Sequence, residues 1–202
     1  MTRPAFLFAH GAGLPSDSPW MSRWATALEA LGSVVRFDYP YMAAGKKRPD
    51  RLPVLLERHR QALGALRQQT DGPVFLVGKS MGGRVGCHLA AEEAVSGVIC
   101  LGYPLCAGGD RTRLRTEVLH RLSVPVLFVQ GTRDRLAPLD LLEPVVRELA
   151  APTRLYVVPT GDHSLMVTRT HTRQTGHSQE YEEEQAHQAI SAFVAEFAQS
   201  GP

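Results

Sequence analysis

The sequence predicts an α/β fold: three layers built on about six parallel strands. Two patterns carry this expectation. Short apolar runs recur along the chain, each closed by a turn rich in Gly, Pro or Asp, and the segments between them show helical periodicity. Strand–helix–strand units with short connections pair in parallel through right-handed crossovers.

The predicted strands are Ala5–Ala9, Val34–Phe37, Val74–Val77, Val98–Leu101, Val124–Val129 and Leu155–Val158. Each is short, and β-branched or aromatic enough to be buried on both faces. The first helical stripe is Trp20, Trp24, Ala27, Leu28 and Leu31. A second runs Leu52, Leu55, Leu56, His59, Leu63 and Leu66, with Asp50 as its expected cap. The last is Ala186, Ile190, Phe193, Val194 and Phe197, with Glu180 and Glu182–Glu184 near its start, where the helix dipole favours acids. Pro144 interrupts the segment Leu139–Leu149, so a short turn is expected there, followed by a helix with Pro144 near its first position. Long irregular stretches are expected at Tyr39–Pro49, Tyr103–Arg113 and Thr160–Ser178.

Composition narrows the function classes. The chain has 202 residues, 44% hydrophobic and 21% charged, which fits one globular domain over residues 1–202. A net charge of +2 gives no footprint for nucleic acid or an anionic membrane. No run approaches the roughly 20 apolar residues that span a bilayer, and no signal-like leader is visible, so a soluble cytoplasmic protein is expected. Cys87, Cys100 and Cys106 match no zinc or redox spacing, and Cys87 and Cys100 read as small buried hydrophobes.

Chemistry enters at Gly78-Lys-Ser80-Met-Gly82. This is G-x-S-x-G with a strand before it and a helix after it. A turn that tight strains the central residue, and the glycines let strand and helix approach. Ser80 is thereby raised at a helix N-terminus as the expected nucleophile. Its partners are sought at later strand ends, in the order acid then histidine. Asp134 follows the strand Val124–Val129, and His163 follows Leu155–Val158. Asp162 is the rival acid, but it would have to curl back onto its neighbour's ring, so Asp134 is preferred. His10-Gly-Ala-Gly13 closes the first strand, and we expect the Ala12 and Met81 N–H groups to form an oxyanion hole.

The other histidines carry less. His59 lies on an apolar stripe and reads as near-core. His88, His120, His171, His177 and His187 show no ligand spacing, and the gap of six between His171 and His177 fits no common zinc pattern. No metal and no cofactor are expected. Arg111, Arg113 and Arg115 read as a solvated face.

Four stretches, His10-Gly-Ala-Gly, Gly78-Lys-Ser-Met-Gly-Gly, Gly131-Thr-Arg-Asp134 and Gly161-Asp-His163, together resemble the α/β-hydrolase superfamily. Their wording, with Gly102-Tyr-Pro-Leu105, resembles a small subgroup. It includes a testis-expressed hydrolase-like protein and the hydrolase-like subunit of a histone acetyltransferase regulatory complex. Bacterial members are often labelled dienelactone-hydrolase-like, although dienelactone hydrolases proper use Cys where this chain has Ser80. The resemblance implies strand order 2-1-3-4-5-6 and no N-terminal antiparallel hairpin, because Met1 lies so close to the first strand. A cap domain is not expected either, since Tyr103–Ser123 has room for only one short helix and a loop.

The expected function is a serine hydrolase of small or short-acyl carboxylic esters, acting through an acyl-enzyme. A binding or scaffold protein on the same fold and a transacylase are the alternatives. The expected partner is a small-molecule ester, with no nucleic acid and no membrane. Its open cleft is expected to be rimmed by Leu14–Trp20, Tyr103–Leu105 and Ser164–Met166, with Trp20, Tyr103 and Leu105 as substrate contacts.

Overall fold

The computed structural model describes residues 2–198. A sheet of six parallel strands forms its centre: β1 (Ala5–Ala9), β2 (Ser33–Phe37), β3 (Val74–Lys79), β4 (Gly97–Leu101), β7 (Val126–Gly131) and β8 (Thr153–Val158). Their spatial order is β2-β1-β3-β4-β7-β8, which is 2-1-3-4-5-6 when only these six strands are counted. All six predicted runs are strands, with ends shifted by at most two residues.

Alternation of side chains across the pleat builds two cores. On one face Leu7, Leu76, Cys100 and Phe128 pack with Leu63 and Leu66 of α3 (Leu52–Arg67), Val85 of α4 (Met81–Ala90) and Leu142 of α5 (Leu139–Glu148). On the other, Phe6, Phe75, Ile99 and Leu127 pack with Trp24 and Leu28 of α1 (Pro19–Glu29) and with Ile190 and Phe193 of α7 (Gln179–Phe197). Cys87 and Cys100 are buried thiols, as read from the sequence.

Four sequence expectations are corrected. Pro144 lies inside α5 rather than at its start. It forfeits only the bond to the carbonyl of Asp140, an exposed residue, while Leu142 and Val145 anchor the helix on both sides of it. Asp50 does not cap α3: its Oδ2 accepts the Tyr41 N–H at 2.9 Å, and α3 starts with Pro53 in its first turn. The stretch Tyr39–Pro49 contains a one-turn helix, α2 (Pro40–Ala43), and Thr160–Ser178 contains α6 (Arg169–Thr175). Finally, Tyr103–Arg113 is mostly a hairpin, β5 (Cys106–Ala107) against β6 (Asp110–Leu114). Gly108 and Gly109 form its two-residue turn at φ 64° and 82°, the double positive φ of a type I′ connection. The hairpin and a 3₁₀ turn at Leu119–Arg121 occupy the place of a cap, and no further domain follows β4 among the described residues. No described helix is long and apolar enough to cross a membrane.

Candidate active site

The carboxyl ends of β1, β3, β7 and β8 meet at one edge of the sheet. The turn from β3 into α4 is the sharpest feature there. A Cβ at Gly78 would lie 2.1 Å from the Gly83 nitrogen, and one at Gly82 would lie 2.5 Å from the Ala9 carbonyl oxygen. Both contacts are with backbone, so only glycine permits the approach. The strain falls on Ser80, at φ 50° and ψ −113°. Few side-chain-bearing residues hold such angles. Its N–H donates to Leu101 O at 3.0 Å, which pins the turn to β4.

Ser80 Oγ lies 2.7 Å from His163 Nε2, and His163 Nδ1 lies 2.7 Å from Asp134 Oδ2. The loops carrying Asp134 and His163 touch at Gly131, where a Cβ would fall 2.2 Å from the Gly161 carbonyl oxygen. Asp134 is buried and accepts further bonds from Leu136 N–H at 2.8 Å and Gln130 Nε2 at 2.5 Å. Burial pushes its carboxyl up, but His163 and these two donors outweigh that and hold it below the usual carboxylate range. Asp162 points elsewhere: its Oδ1 accepts the Ser164 and Met166 N–H groups at 2.7 and 3.0 Å.

The loop after β1 is turned by its carbonyls. His10 Nδ1 donates to Gly11 O at 2.6 Å, and its Nε2 accepts the Tyr39 N–H at 3.1 Å, so the ring is the neutral Nδ1–H tautomer. Burial lowers the His10 pKa, against the opposing pull of Gly11 O and Asp38. The Tyr41 hydroxyl reaches Gly11 O at 3.3 Å and Ala12 O at 3.0 Å. Burial, then the charges of Asp50 and Asp38, push that phenol up to about 12, so it stays a donor. With the carbonyls drawn away, the Ala12 N–H has no acceptor among the described residues, and neither has the Met81 N–H at the start of α4.

Ser80 and His163 open into a cleft of about 500 Å³, walled by Ala12, Leu14, Trp20, Lys79, Leu136 and Ser164, among others. Trp20 stands on the predicted rim and donates from Nε1 to Ser164 O at 2.9 Å. Tyr103 and Leu105 do not line this cleft. Both are fully buried in the core, Tyr103 edge-on to Phe128 with its hydroxyl donating to Arg115 O at 2.8 Å. Pro104, between them, does face the site: with Ala12, Ser80, Met81 and Leu136 it lines a second cavity of about 340 Å³.

Lys79, Gln130 and Tyr41 were not singled out from sequence. Lys79 is the residue before Ser80, its Nζ 5.2 Å from the Trp20 ring centre and donating to the His163 carbonyl. Burial lowers its pKa to about 8, only partly offset by Asp134 and Asp162. Its place inside the elbow motif was the available signal. Nothing in the local sequence marks Tyr41 or Gln130.

Chemically, the arrangement can draw a proton from a half-buried hydroxyl on a strained backbone into an imidazole backed by a buried carboxylate. Two unpaired N–H groups stand beside it. A serine-centred α/β fold of this kind has a family match. The family profile described as "Alpha/beta hydrolase domain" covers residues 2–195, and the chain belongs to that family.

Solved structures share the fold at low identity. An alpha-beta serine hydrolase homologue from Coxiella burnetii is 20% identical over 91% of this chain and 85% of its own, with TM-score 0.70. Dienelactone hydrolase from Anabaena variabilis is 21% identical over 97% and 87%, with TM-score 0.72. A serine hydrolase without lid from Xanthomonas campestris is 18% identical over 100% and 85%, with TM-score 0.70.

Proposed function

We propose that the protein is a serine esterase acting on small or short-acyl carboxylic esters. The observation that carries this reading is the unbroken hydrogen-bonded chain from Ser80 through His163 to Asp134, ending in an open cleft. Ser80 Oγ attacks the acyl carbon while His163 Nε2 takes its proton. Asp134 holds the ring tautomer and balances the imidazolium. The oxyanion forms against the Ala12 and Met81 N–H groups, each contributing about 3 kcal/mol in comparable sites. His163 returns its proton to the departing alkoxide, and the Ser80 ester is then hydrolysed by water, with the same base activating it. No step calls for a cofactor.

The motif wording supports a place in the small subgroup with the testis-expressed and acetyltransferase-complex proteins. The free, buried Cys87, Cys100 and Cys106 support a cytoplasmic setting, where thiols stay reduced.

The test is covalent labelling by a fluorophosphonate probe together with hydrolysis of p-nitrophenyl acetate. Labelling at Ser80 and turnover are expected in the native chain, and both should vanish in Ser80→Ala. Retained turnover in that variant would overturn the assignment. Product analysis in the presence of an alcohol separates hydrolysis from acyl transfer.

A further inference from the structure

Outside the cleft, two imidazoles and a carboxylate converge where α6 meets α7. Helix α6 ends at Gly176, whose φ of 76° reverses the chain. His177 is thereby folded back until its ring centre lies 6.2 Å from that of His171. Ser178 then caps α7, and Glu182 follows within its first turns. The gap of six that matches no zinc spacing in a continuous helix is closed by this reversal. His171 Nε2 lies 2.8 Å from Glu182 Oε1, and His177 Nδ1 lies 3.4 Å from the same oxygen. The three ligand atoms all fall within 4.8 Å of one another.

From this geometry we infer a binding site for one divalent transition-metal ion of the zinc class, held by His171, His177 and Glu182. Three arguments support it. First, Glu182 is only 3% exposed. A glutamate is rarely buried that far unless it is paired or ligates a metal.

Second, the spacing fits. Donor atoms about 2.1 Å from a tetrahedral zinc stand about 3.4 Å apart. The His177–Glu182 distance of 3.4 Å equals that separation, and the His171–Glu182 pair at 2.8 Å must open by roughly 0.6 Å to admit the ion. The glutamate side chain makes that adjustment by rotating its carboxylate, while the half-buried His177 is already oriented by stacking on Tyr181, with ring centres 4.1 Å apart. His171 is fixed at its backbone: its N–H donates to Thr168 Oγ1, and its carbonyl accepts from Thr175 Oγ1.

Third, the donor set is selective. Two imidazoles with one carboxylate favour zinc, nickel or copper over magnesium and calcium, which take oxygen ligands. The exposed side of His177 leaves room for a water as fourth ligand.

The ion would clamp α6 to α7. Gln179 of α7 already holds the loop beyond His163, with its Oε1 accepting Val167 N–H and its Nε2 donating to Leu165 O. The role is structural, and it stands independently of the esterase reading.

Equilibrium dialysis of the tag-free full chain against Zn²⁺ tests it, with thermal melting as second readout. One bound equivalent is expected, with a melting temperature that rises with Zn²⁺ concentration and not with Mg²⁺. His177→Ala removes a surface ring and should still fold; its affinity should fall by about tenfold or more. Ser80→Ala should bind as the native chain does. Glu182→Gln checks the carboxylate, with circular dichroism to establish folding. No binding at micromolar Zn²⁺, unchanged affinity in His177→Ala, or an equal response to Mg²⁺ would each overturn the site.

Discussion

The ammonium of Lys79 donates a hydrogen bond to the backbone carbonyl of His163, so the residue before the serine braces the main chain of the histidine. Trp20 joins the brace, stacking near Lys79 Nζ and donating to Ser164 O at 2.9 Å. A charge-assisted bond of this kind contributes about 1.5–3 kcal/mol. Lys79→Met is therefore expected to lower kcat by about tenfold, one factor of ten per 1.4 kcal/mol, while Ser80 still reacts with the phosphonate probe.

The same lysine sets an alkaline limb. Its pKa is lowered to about 8, so the cation is present below that pH and lost above it. The neutral amine keeps a donor but loses the charge that strengthens its bond and its hold on Trp20. Native kcat/KM should decline above pH 8, and Lys79→Arg should move that decline to higher pH. Superimposable profiles for the two proteins would contradict the role.

Strain at Ser80 predicts an inversion of the usual substitution order. Its backbone sits at φ 50° and ψ −113° with a Cβ attached, at a cost of order 1–3 kcal/mol. Ser80→Gly releases that strain and gives back roughly 0.5–1 kcal/mol to unfolded-chain entropy. A net gain of about 1 kcal/mol should raise Tm by about 2–4 °C for a chain of this size. Ser80→Ala keeps the Cβ and should melt close to the native protein. Calorimetry that finds Ser80→Gly less stable than Ser80→Ala would refute the strain account.

The elbow was legible because its constraint is local: Gly78 and Gly82 are needed wherever a strand and a helix meet so closely. Asp134 and His163 were legible because strand ends recur in a parallel sheet. Tyr103 and Leu105 were misplaced because composition does not say which side chains of a loop turn inward: these two are buried, while Pro104 between them faces Ser80. The Gly108–Gly109 hairpin carried a readable signal, a double glycine between two short strands. The approach of His177 to His171 depends on one left-handed residue, Gly176, and on the packing that follows it. No spacing rule for a single helix contains that information.

His59 should make the fold acid-sensitive. It is fully buried, its Nδ1 is 3.2 Å from the Tyr39 hydroxyl, and burial, aided by Arg58, pushes its pKa down to about 3. The unfolded chain binds a proton there near pH 6.5, and the native state does not until about pH 3. Between those values the unfolded state holds more protons, so stability falls as pH falls. The full loss is on the order of 5 kcal/mol, a large share of a typical stability. His10, lowered chiefly by burial, acts in the same direction. Urea unfolding should show weaker stability at pH 4.5 than at pH 7, with a shallower dependence in His59→Gln. An equal dependence in both proteins would count against this assignment.

Acyl-chain preference follows from what stands over Ser80. In place of a cap, the chain after β4 forms a small hairpin whose Cys106 N–H is tied to Leu136 O at 2.6 Å. The cleft therefore stays open, with Leu14 59% exposed on its wall. A long acyl chain would leave most of its length in water, so the apolar surface it could bury does not grow with each added methylene. Trp20 walls the groove, its ring packed against Phe8 and Trp24. Among p-nitrophenyl esters, kcat/KM should peak at acetate to butyrate and show no jump above the micellar threshold of a long-chain ester. Trp20→Ala removes both a wall and the bond to Ser164 O, so overall kcat should fall. The octanoate-to-acetate ratio of kcat/KM should nevertheless rise, because the groove lengthens by the volume of an indole. A native maximum at the long end would sink this account of specificity, and so would a Trp20→Ala ratio that stays flat.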